Sequence, residues 1–481
     1  MSTKNDDLGK KISRRDFLKV TGLGASALAA SSILAACTPP ATVAPAPATV
    51  APAPATMAPV ATAAPVATAA PVTTAAPAAA ELAGELTVWS WADNPNLRDT
   101  AALFTAKNPK VTFKFTTLSY QDTHQKLAVA LAAGSGAPDI VSIDGAEMQN
   151  FVDIGGLLDV TKDLAPFVKD FPAYKIAEVS DAKGNMFAFP WDAGPLSLFY
   201  RKDVFEKHNA PIPTTWADYI ALGQKWAKEG IFMLPFSLST PNPQDFALFQ
   251  KLLWQVGGSY FDKATGAVTL DNAAGIKAIN MYANLIFAGI TFNVQPFTPA
   301  AYGAWKDGKV VTDMGAAWMG HVFSDNVKEG EGSFGQWRIA DQLPAYEAGG
   351  SPTGDQGGSN VAATAQTKNP AAATAYLAFT CASVDGQVAM GVKGTFPSYL
   401  PALQDPRMID ATLPVYGDEK FNDPFIKLLP LTPTAYWRDK AFPQADVIVN
   451  AGLANIATKV WKPEDGLKNI ANNVRAALLR P

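Results

Sequence analysis

The stretch Met186–Asp203, MFAFPWDAGPLSLFYRKD, decides the fold of this chain. It contains two extended apolar runs, Met186–Phe189 and Pro195–Tyr200, which are separated by the turn-forming residues 191–194. The second run is almost continuously hydrophobic, and such a run is typical of a strand that is covered on both faces. The pattern therefore predicts two strands that a short polar turn interrupts.

Pro190 lies at the junction between these two runs. It has no N–H to donate to a sheet, and it favours an extended conformation at Phe189. We predict that the chain leaves one sheet here and enters another, with Trp191 and Asp192 at the mouth of a cleft between two lobes. The alternative interpretation is an ordinary buried strand with a kink.

Composition sets limits on the class of protein. With 481 residues, 48% of them hydrophobic, the chain is long enough for more than one domain. A net charge of −4 argues against nucleic acid as a partner, because proteins that bind it normally carry a basic face. The two cysteines, Cys37 and Cys381, do not make a disulfide framework. After residue 36 the sequence contains no apolar run long enough to span a bilayer.

The N-terminal segment has the pattern of an export signal. Residues 13–19, SRRDFLK, contain twin arginines, and a weakly hydrophobic stretch follows up to Ala36. The segment closes with Leu34-Ala35-Ala36-Cys37, which resembles a bacterial lipobox. We predict a Tat-like lipoprotein signal peptide over 1–36 and a lipidated thiol at Cys37, with the Sec route as an alternative. The mature protein would be a cell-surface or periplasmic lipoprotein anchored through Cys37.

Residues 37–82 are predicted to be a linker. Positions 38–80 hold ten prolines and no charged residue, with alanine and threonine between them. Such a sequence is unable to build a hydrophobic core and favours extended polyproline II geometry. We therefore expect a stalk that holds the folded part of the chain away from a membrane.

From residue 84 onward, strand patterns and helix patterns alternate, which indicates a parallel α/β lobe. Ligands of such lobes bind beyond the carboxyl ends of the strands, where the loops 89–94 and 144–147 lie. Further along, Thr215 is a predicted helix N-cap, and Asn360–Ala365 is a predicted return strand. The predicted strands of the first lobe are Gly84–Trp89, Val111–Thr116 and Pro138–Ile143, and the predicted helices include Leu97–Asn108, Tyr120–Ala133, Asp271–Phe287 and Pro370–Cys381.

Four segments together resemble one known family. They are GELTVWSWAD near the start of the folded part, GAPDIVSIDG, FPWDAGPLSLFYRKDVFEKHNAPIPTTWADY, and GSPTGDQGGSNVAATAQTKNPAAATAYLAF. In this order they resemble the extracellular solute-binding proteins of ATP-driven sugar importers, the group typified by maltose-binding protein. The resemblance covers roughly residues 83–481 and also agrees with the lipobox and the stalk.

The resemblance implies an α/β, two-lobed fold of the periplasmic-binding-protein type II, in which hinge crossings join the lobes. Lobe one would comprise 83–191 plus 360–403, and lobe two 192–359 plus 404–481. The implied partners are a small sugar and the transmembrane subunits of an ABC permease, with a monomer as the working form and no cofactor or metal.

A sugar offers apolar C–H faces and a rim of hydroxyls, so its site needs flat aromatic rings and bidentate acceptors such as carboxylates. The resemblance places Trp318 and Trp437 on aromatic platforms, and it places Gln244 or Asp245 where the family has a carboxylate and an aromatic. This chain departs from maltose-binding protein in having Trp91 and Trp191 at the cleft. The resemblance therefore does not imply that it binds maltodextrins. The predicted ligand-binding residues are Trp91, Asp93, Asn94, Asp144, Trp191, Asp192, Gln244, Asp245, Trp318, Asp355, Gly357, Gly358 and Trp437.

The sequence offers little support for catalysis. His124 and His208 fall on polar helix faces that we interpret as solvated, and His321 follows the Trp318 loop as a possible hydrogen-bonding group of the cleft. Cys381 lies in an apolar helix and is interpreted as a buried, inert thiol. We therefore predict a sugar receptor and not an enzyme. The alternatives are a receptor for another solute, such as a polyamine, glycerol phosphate or a metal chelate, and a secreted carbohydrate-active enzyme that uses paired carboxylates.

Overall fold

The structure is a computed structural model that describes residues 81–91, 95–237, 243–433 and 438–480. The predicted signal peptide, Cys37 and almost all of the predicted linker therefore lie outside the described residues. In the described residues, no helix is both long enough and apolar enough to cross a bilayer.

The strands of the described residues form three sheets, two large and one small. They are β1 (Gly84–Trp91), β2 (Val111–Leu118), β3 (Ile140–Asp144), β4 (Phe189–Pro190), β5 (Leu196–Arg201), β6 (Leu234–Pro235), β7 (Thr291–Phe292), β8 (Thr312–Ala316), β9 (Trp337–Ile339) and β10 (Ser359–Ala363).

Helices cover both large sheets. They are α1 (Pro95–Lys107), α2 (Tyr120–Ala132), α3 (Gly145–Ile154), α4 (Thr161–Leu164), α5 (Ala173–Glu178), α6 (Lys202–Lys207), α7 (Trp216–Ala227), α8 (Pro243–Gln255), α9 (Ala273–Phe287), α10 (Pro299–Lys306), α11 (Met319–Asn326), α12 (Pro370–Ala382), α13 (Val384–Gly391), α14 (Pro406–Ile409), α15 (Asp423–Leu428), α16 (Phe442–Ala457) and α17 (Pro463–Leu478). Short 3₁₀ segments occur at Ala165–Asp170, Leu400–Gln404, Pro414–Tyr416 and Leu429–Leu431.

The first lobe is built on a five-stranded sheet in the order β2-β1-β3-β10-β4. β1 runs parallel to both β2 and β3, which confirms the predicted parallel arrangement, and the return strand β10 runs antiparallel to β3 and β4. On one face, Tyr376 of α12 packs edge-on against Phe104 of α1 at 5.5 Å between ring centroids. Burial of these apolar faces is what holds the helices to the sheet.

The second lobe is built on the antiparallel three-stranded sheet β8-β5-β9. Its core buries Leu198 of β5 together with Trp216, Tyr282 and Phe442, which come from α7, α9 and α16. Thr215 caps α7 as predicted, since its hydroxyl accepts a hydrogen bond from the N–H of Asp218 at 3.2 Å.

The stretch 186–203 does leave one sheet and enter another. β4 pairs with β10 in the first sheet, and β5 pairs with β8 and β9 in the second. The first strand is shorter than predicted, because Met186 instead donates its N–H to the Thr161 hydroxyl at 2.8 Å and accepts from the Val160 N–H at 2.9 Å.

Two chain crossings, residues 191–194 and 355–358, lie side by side between the sheets, and residues 396–398 are hydrogen-bonded to the first of them. Trp191 is hydrogen-bonded to both neighbours, since its N–H donates to Ser359 O at 3.0 Å and its carbonyl accepts from Ser398 N at 3.2 Å. The first and second crossings are joined again where Gln356 N donates to Gly194 O at 2.9 Å.

Candidate functional site

The carboxyl ends of β1 and β3 meet at an aromatic corner, formed by Trp91, Tyr120 and His124. The Trp91 ring lies 5.6 Å from the Tyr120 ring and 5.2 Å from the His124 ring, measured between centroids. Asp144 ends β3 beside them, and its carboxylate caps α3 by accepting from Ala146 N at 2.7 Å. Two of the predicted ligand-binding residues, Trp91 and Asp144, are therefore brought to one place.

His124 is buried, with 5% of its surface exposed, so the interpretation of a solvated histidine was wrong. Its Nε2 accepts a hydrogen bond from the backbone N–H of Asp144 at 3.2 Å, so the proton lies on Nδ1, which is 2.8 Å from Tyr120 O. Burial lowers the pKa of His124, and the Asp144 carboxylate opposes this effect. The imidazole is therefore neutral at physiological pH and holds the corner together.

Glu147 lies in the first turn of α3 and belongs to the same corner, although it was not among the predicted ligand-binding residues. Burial raises its pKa to about 7, and the nearby carboxylates of Asp144 and Asp446 add to the effect. Asp446 comes from α16 of the second lobe. Carboxylates of both lobes therefore influence one another across this region.

Asp446 is held by three donors of the second lobe. Gln250 Nε2 lies 2.6 Å away, Asn450 Nδ2 2.9 Å and the Tyr260 hydroxyl 3.1 Å. Burial raises the pKa of Asp446, while these hydrogen bonds and Arg438 lower it. No local sequence pattern distinguishes Asp446 from an ordinary helix-surface aspartate, which is why sequence reasoning missed it.

The predicted residues of the first crossing are buried at the junction of the lobes. Trp191 is 2% exposed, and its indole Nε1 has no hydrogen-bond partner among the described residues. Asp192 is 5% exposed and accepts from Ser359 N at 2.6 Å. Burial raises the pKa of Asp192 to about 6, although Lys175 and the Ser359 N–H oppose that rise. Asp192 therefore stabilises the junction of two crossings.

The second crossing carries Asp355, Gly357 and Gly358. Asp355 is completely buried opposite Pro195. Both glycines have a left-handed backbone, with φ of 76° and 83°. A Cβ at Gly358 would lie 2.9 Å from Asp192 O, and one at Gly357 would lie 3.1 Å from the Trp318 Nε1. The two glycines therefore allow the crossings and Trp318 to approach one another.

Trp318 follows β8 and packs against both hydrophobic clusters of the protein, one of which contains residues from both large sheets. Its Nε1 donates to Gln356 O at 3.0 Å, and its ring stacks on Phe297 at 6.0 Å between centroids. Trp318 therefore ties the end of β8 to the second crossing.

Five predicted positions are not described at the level of side chains. Gln244 and Asp245 lie at the start of α8, and only their backbone is described. Asp93, Asn94 and Trp437 lie outside the described residues. These assignments stay predictions.

His321 and Cys381, two further groups considered in the sequence, both lie in the described part of the chain. No group of three or more His, Cys, Asp or Glu side chains there is arranged to hold a metal ion. Cys381 is buried and forms no disulfide with a described residue, and burial raises its pKa well above the usual value. Burial also lowers the pKa of His321.

A surface groove lies apart from this region. It has a volume of ≈ 590 Å³ and runs between the edge of β9 and α15, where Tyr200, Asp341, Glu419 and Asp423 are among its lining residues. None of the predicted ligand-binding residues lines it.

Comparison with known proteins identifies the family. The model of the bacterial extracellular solute-binding proteins matches residues 99–413, which is more than half of the chain. The chain belongs to that family. This solute-binding protein is 26% identical to the arabinooligosaccharide-binding protein of Halalkalibacterium halodurans over 310 residues, which is 62% of this chain and 67% of the relative. It is 30% identical to the lactose-binding protein of Rhizobium radiobacter over 215 residues, or 42% and 48% of the two chains.

The matched stretches thus span about half to two thirds of the length of these relatives. Among solved structures, the solute-binding protein is similar to the ABC transporter associated binding protein from B. animalis subsp. lactis Bl-04 in complex with β-1,6-galactobiose. The TM-score is 0.69 at 22% identity, over 82% of this chain and 97% of that chain. This similarity concerns the fold, and it confirms the predicted two-lobed type II architecture.

Proposed function

We propose that this solute-binding protein captures a mono- or oligosaccharide between its lobes and delivers it to an ABC importer. The observation that carries the proposal is the aromatic corner of Trp91, Tyr120 and His124 beside the carboxylates of Asp144 and Glu147. Aromatic faces suit the C–H faces of a sugar, and carboxylates make strong hydrogen bonds to its hydroxyls. The similarity to arabinooligosaccharide- and lactose-binding proteins supports the same class of ligand.

The remaining predicted contacts belong to this proposal. Trp191, Asp192, Asp355, Gly357 and Gly358 form or support the base of the cleft, where the crossings bend. Asp93 and Asn94 would contact the ligand from the first lobe. Trp318 would close on it from the second lobe, together with Gln244, Asp245 and Trp437. The sugar's contacts to both lobes must favour the closed arrangement for binding to shift the population toward it.

A polyamine receptor is the second candidate, because two carboxylates, those of Asp144 and Asp446, lie close enough to Glu147 to raise its pKa. A cationic amine would relieve this repulsion. No catalytic step is proposed, and a carbohydrate-active enzyme would be revealed by products formed from glycans.

We also propose the cellular setting that the sequence predicts. Residues 1–36 direct export by the Tat route, and Cys37 carries the lipid anchor. Residues 37–82 are the spacer, followed by lobe one (83–191 and 360–403) and lobe two (192–359 and 404–481). The protein would work as a monomer that shuttles between free ligand and the permease.

A thermal-shift screen of sugars and polyamines tests the ligand class, with isothermal titration calorimetry of each hit. A ligand present at 100 times its Kd adds about 2.7 kcal/mol to the free energy of unfolding, which is a readily measured shift. We expect at least one mono- or oligosaccharide to raise the melting temperature. A rise with polyamines and with none of the sugars would contradict the sugar proposal.

A further inference from the structure

A buried row of charges connects the two lobes beside the crossings. Lys175 and Glu178 lie on α5 of the first lobe, and their Nζ and Oε2 atoms are 2.7 Å apart. Arg438 comes from the second lobe, and its Nη1 lies 3.3 Å from Glu178 Oε1. The side chains of Lys175, Glu178 and Arg438 are 0%, 8% and 5% exposed. The row is therefore shielded from water, where charge pairing matters most.

Arg438 is fixed to the second lobe by its surroundings. Its guanidinium lies over the Trp254 ring at 4.9 Å, and the next residue, Asp439, pairs with Arg480 at 2.8 Å. The helix that follows, α16, places Phe442 in the core of the second lobe. Arg438 must therefore move with that lobe.

Glu178 is fixed to the first lobe. The neighbouring Val179 lies in the core that contains the first sheet, and Lys175 is one helical turn away on the same helix. The carboxylate lies against the first residue of α3, so that a Cβ at Gly145 would overlap Oε1 of Glu178. This glycine leaves the space in which Glu178 and Arg438 meet.

Both cations also contact the second crossing. Arg438 Nη1 donates to Gly357 O at 3.4 Å, and Lys175 Nζ donates to Ser359 O at 3.4 Å. The ion pair thus lies beside the second crossing and joins side chains of opposite lobes.

We propose that the Glu178–Arg438 ion pair is a latch that holds the lobes together, and that Lys175 is the permanent counter-ion of Glu178. When the lobes separate, Arg438 leaves with the second lobe, while Lys175 stays beside the carboxylate. Opening therefore does not leave Glu178 as an unpaired buried charge, which would be strongly unfavourable. The inference depends on the proposed function only for the assumption that the lobes separate, and it does not depend on which solute is bound.

The test measures the distance between the lobes without any ligand. The full chain carries C37S, V129C and V447C. Val129 on α2 and Val447 on α16 are 70% and 69% exposed, so both new cysteines are accessible to a spin label. Double electron–electron resonance then measures the distance between the two labels. We expect R438M to increase the population of longer distances at least threefold. The matched control is K440M, which removes the exposed pair between Lys440 and Asp153 across the same lobes. We expect no change there, because solvent competes with an exposed pair.

A second measurement separates the latch from a purely structural role. R438M leaves the Lys175–Glu178 pair in place and should melt close to the parent protein. E178Q removes the carboxylate that pairs with the buried Lys175 ammonium and should melt distinctly lower. Three outcomes would each overturn the proposal. The first is a distance distribution in R438M equal to that of the parent, and the second is an equally large change of distances in K440M. The third is an equal loss of melting temperature in R438M and E178Q. A failed sugar screen would leave these results unaffected.

Discussion

The backbone N–H of Asp144 donates a hydrogen bond to His124 Nε2 at 3.2 Å, which ties α2 to the carboxyl end of β3. The bond requires a neutral imidazole, because a protonated ring has no acceptor. Trp91 packs on the same ring, so the protonation state of His124 influences the shape of the aromatic corner.

His124 should make stability fall in mildly acidic solution. Its folded-state pKa lies below the usual 6.5, so its contribution is present above pH 6.5 and is lost as the pH falls through the folded pKa. We expect urea unfolding between pH 7.5 and 5 to show a smaller loss in H124Q than in the parent. The control is H208Q, which changes a histidine outside the corner. An unchanged pH profile in H124Q would contradict the assignment.

Glu147 should have the opposite effect on the pH dependence of the free energy of unfolding. Its pKa rises from 4.5 to about 7 on folding, so it favours the folded state below pH 4.5, and that contribution is lost as the pH rises through 7. E147Q removes the penalty of ionising the buried group. We expect the variant to be more stable than the parent above pH 7, by about 1–3 kcal/mol, and similar to it near pH 4.5. Chemical unfolding at pH 5 and pH 8 measures the difference, and an equal effect at both values would refute it.

Trp91 should contribute directly to ligand affinity. W91A removes the half-buried indole of the aromatic corner. We expect the Kd of the sugar found in the screen to rise at least tenfold, which corresponds to about 1.4 kcal/mol. Trp461, which packs at the edge of the second lobe's core, provides the control variant W461A. Titration calorimetry checks both, and equal affinities of W91A and the parent would remove Trp91 from the site.

Gly358 should tolerate no side chain. G358A introduces a Cβ 2.9 Å from Asp192 O at a φ of 83°, and we expect a loss of about 1–3 kcal/mol in the free energy of unfolding. Gly134 is the matched control, since its φ of 67° is also left-handed while nothing lies within 4 Å of the added Cβ. G134A should therefore cost less. If both variants lose the same stability, the close approach of the crossings is unimportant.

Cys37 should determine where the protein resides. C37A removes the proposed acceptor thiol, and we expect the protein to leave the membrane fraction and to lose labelling by a radioactive fatty acid. The control is C381A, because Cys381 is buried in the folded part and should not influence anchoring. Membrane retention of C37A would disprove the anchor.

Much of the first lobe could be predicted from local pattern. The strands ending at Trp91 and Asp144 alternate or run apolar over a few residues, and Pro190 signals the change of sheet without any long-range information. Local pattern fails where a partner lies far along the chain. His124 looks solvated by helical spacing alone, because its partner, the Asp144 N–H, comes from another element.

The buried row of charges beside the crossings could not be predicted from the sequence either. Glu178 and Arg438 are 260 positions apart in sequence, and each has the neighbours of an ordinary surface residue. Only the packing of the second lobe on α3 and α5 brings them together. Asp446 and Glu147 were missed for the same reason, since their interaction crosses between lobes.

The three hydrogen-bonded segments at the junction of the sheets, which are the two crossings and residues 396–398, have a mechanical consequence. A single connecting segment would let the two lobes twist freely relative to each other. Three segments that are hydrogen-bonded side by side resist such torsion and bend mainly about one line. The lobes should then open and close by bending about this line. Solute should therefore enter and leave on the side of the cleft that lies opposite the three segments.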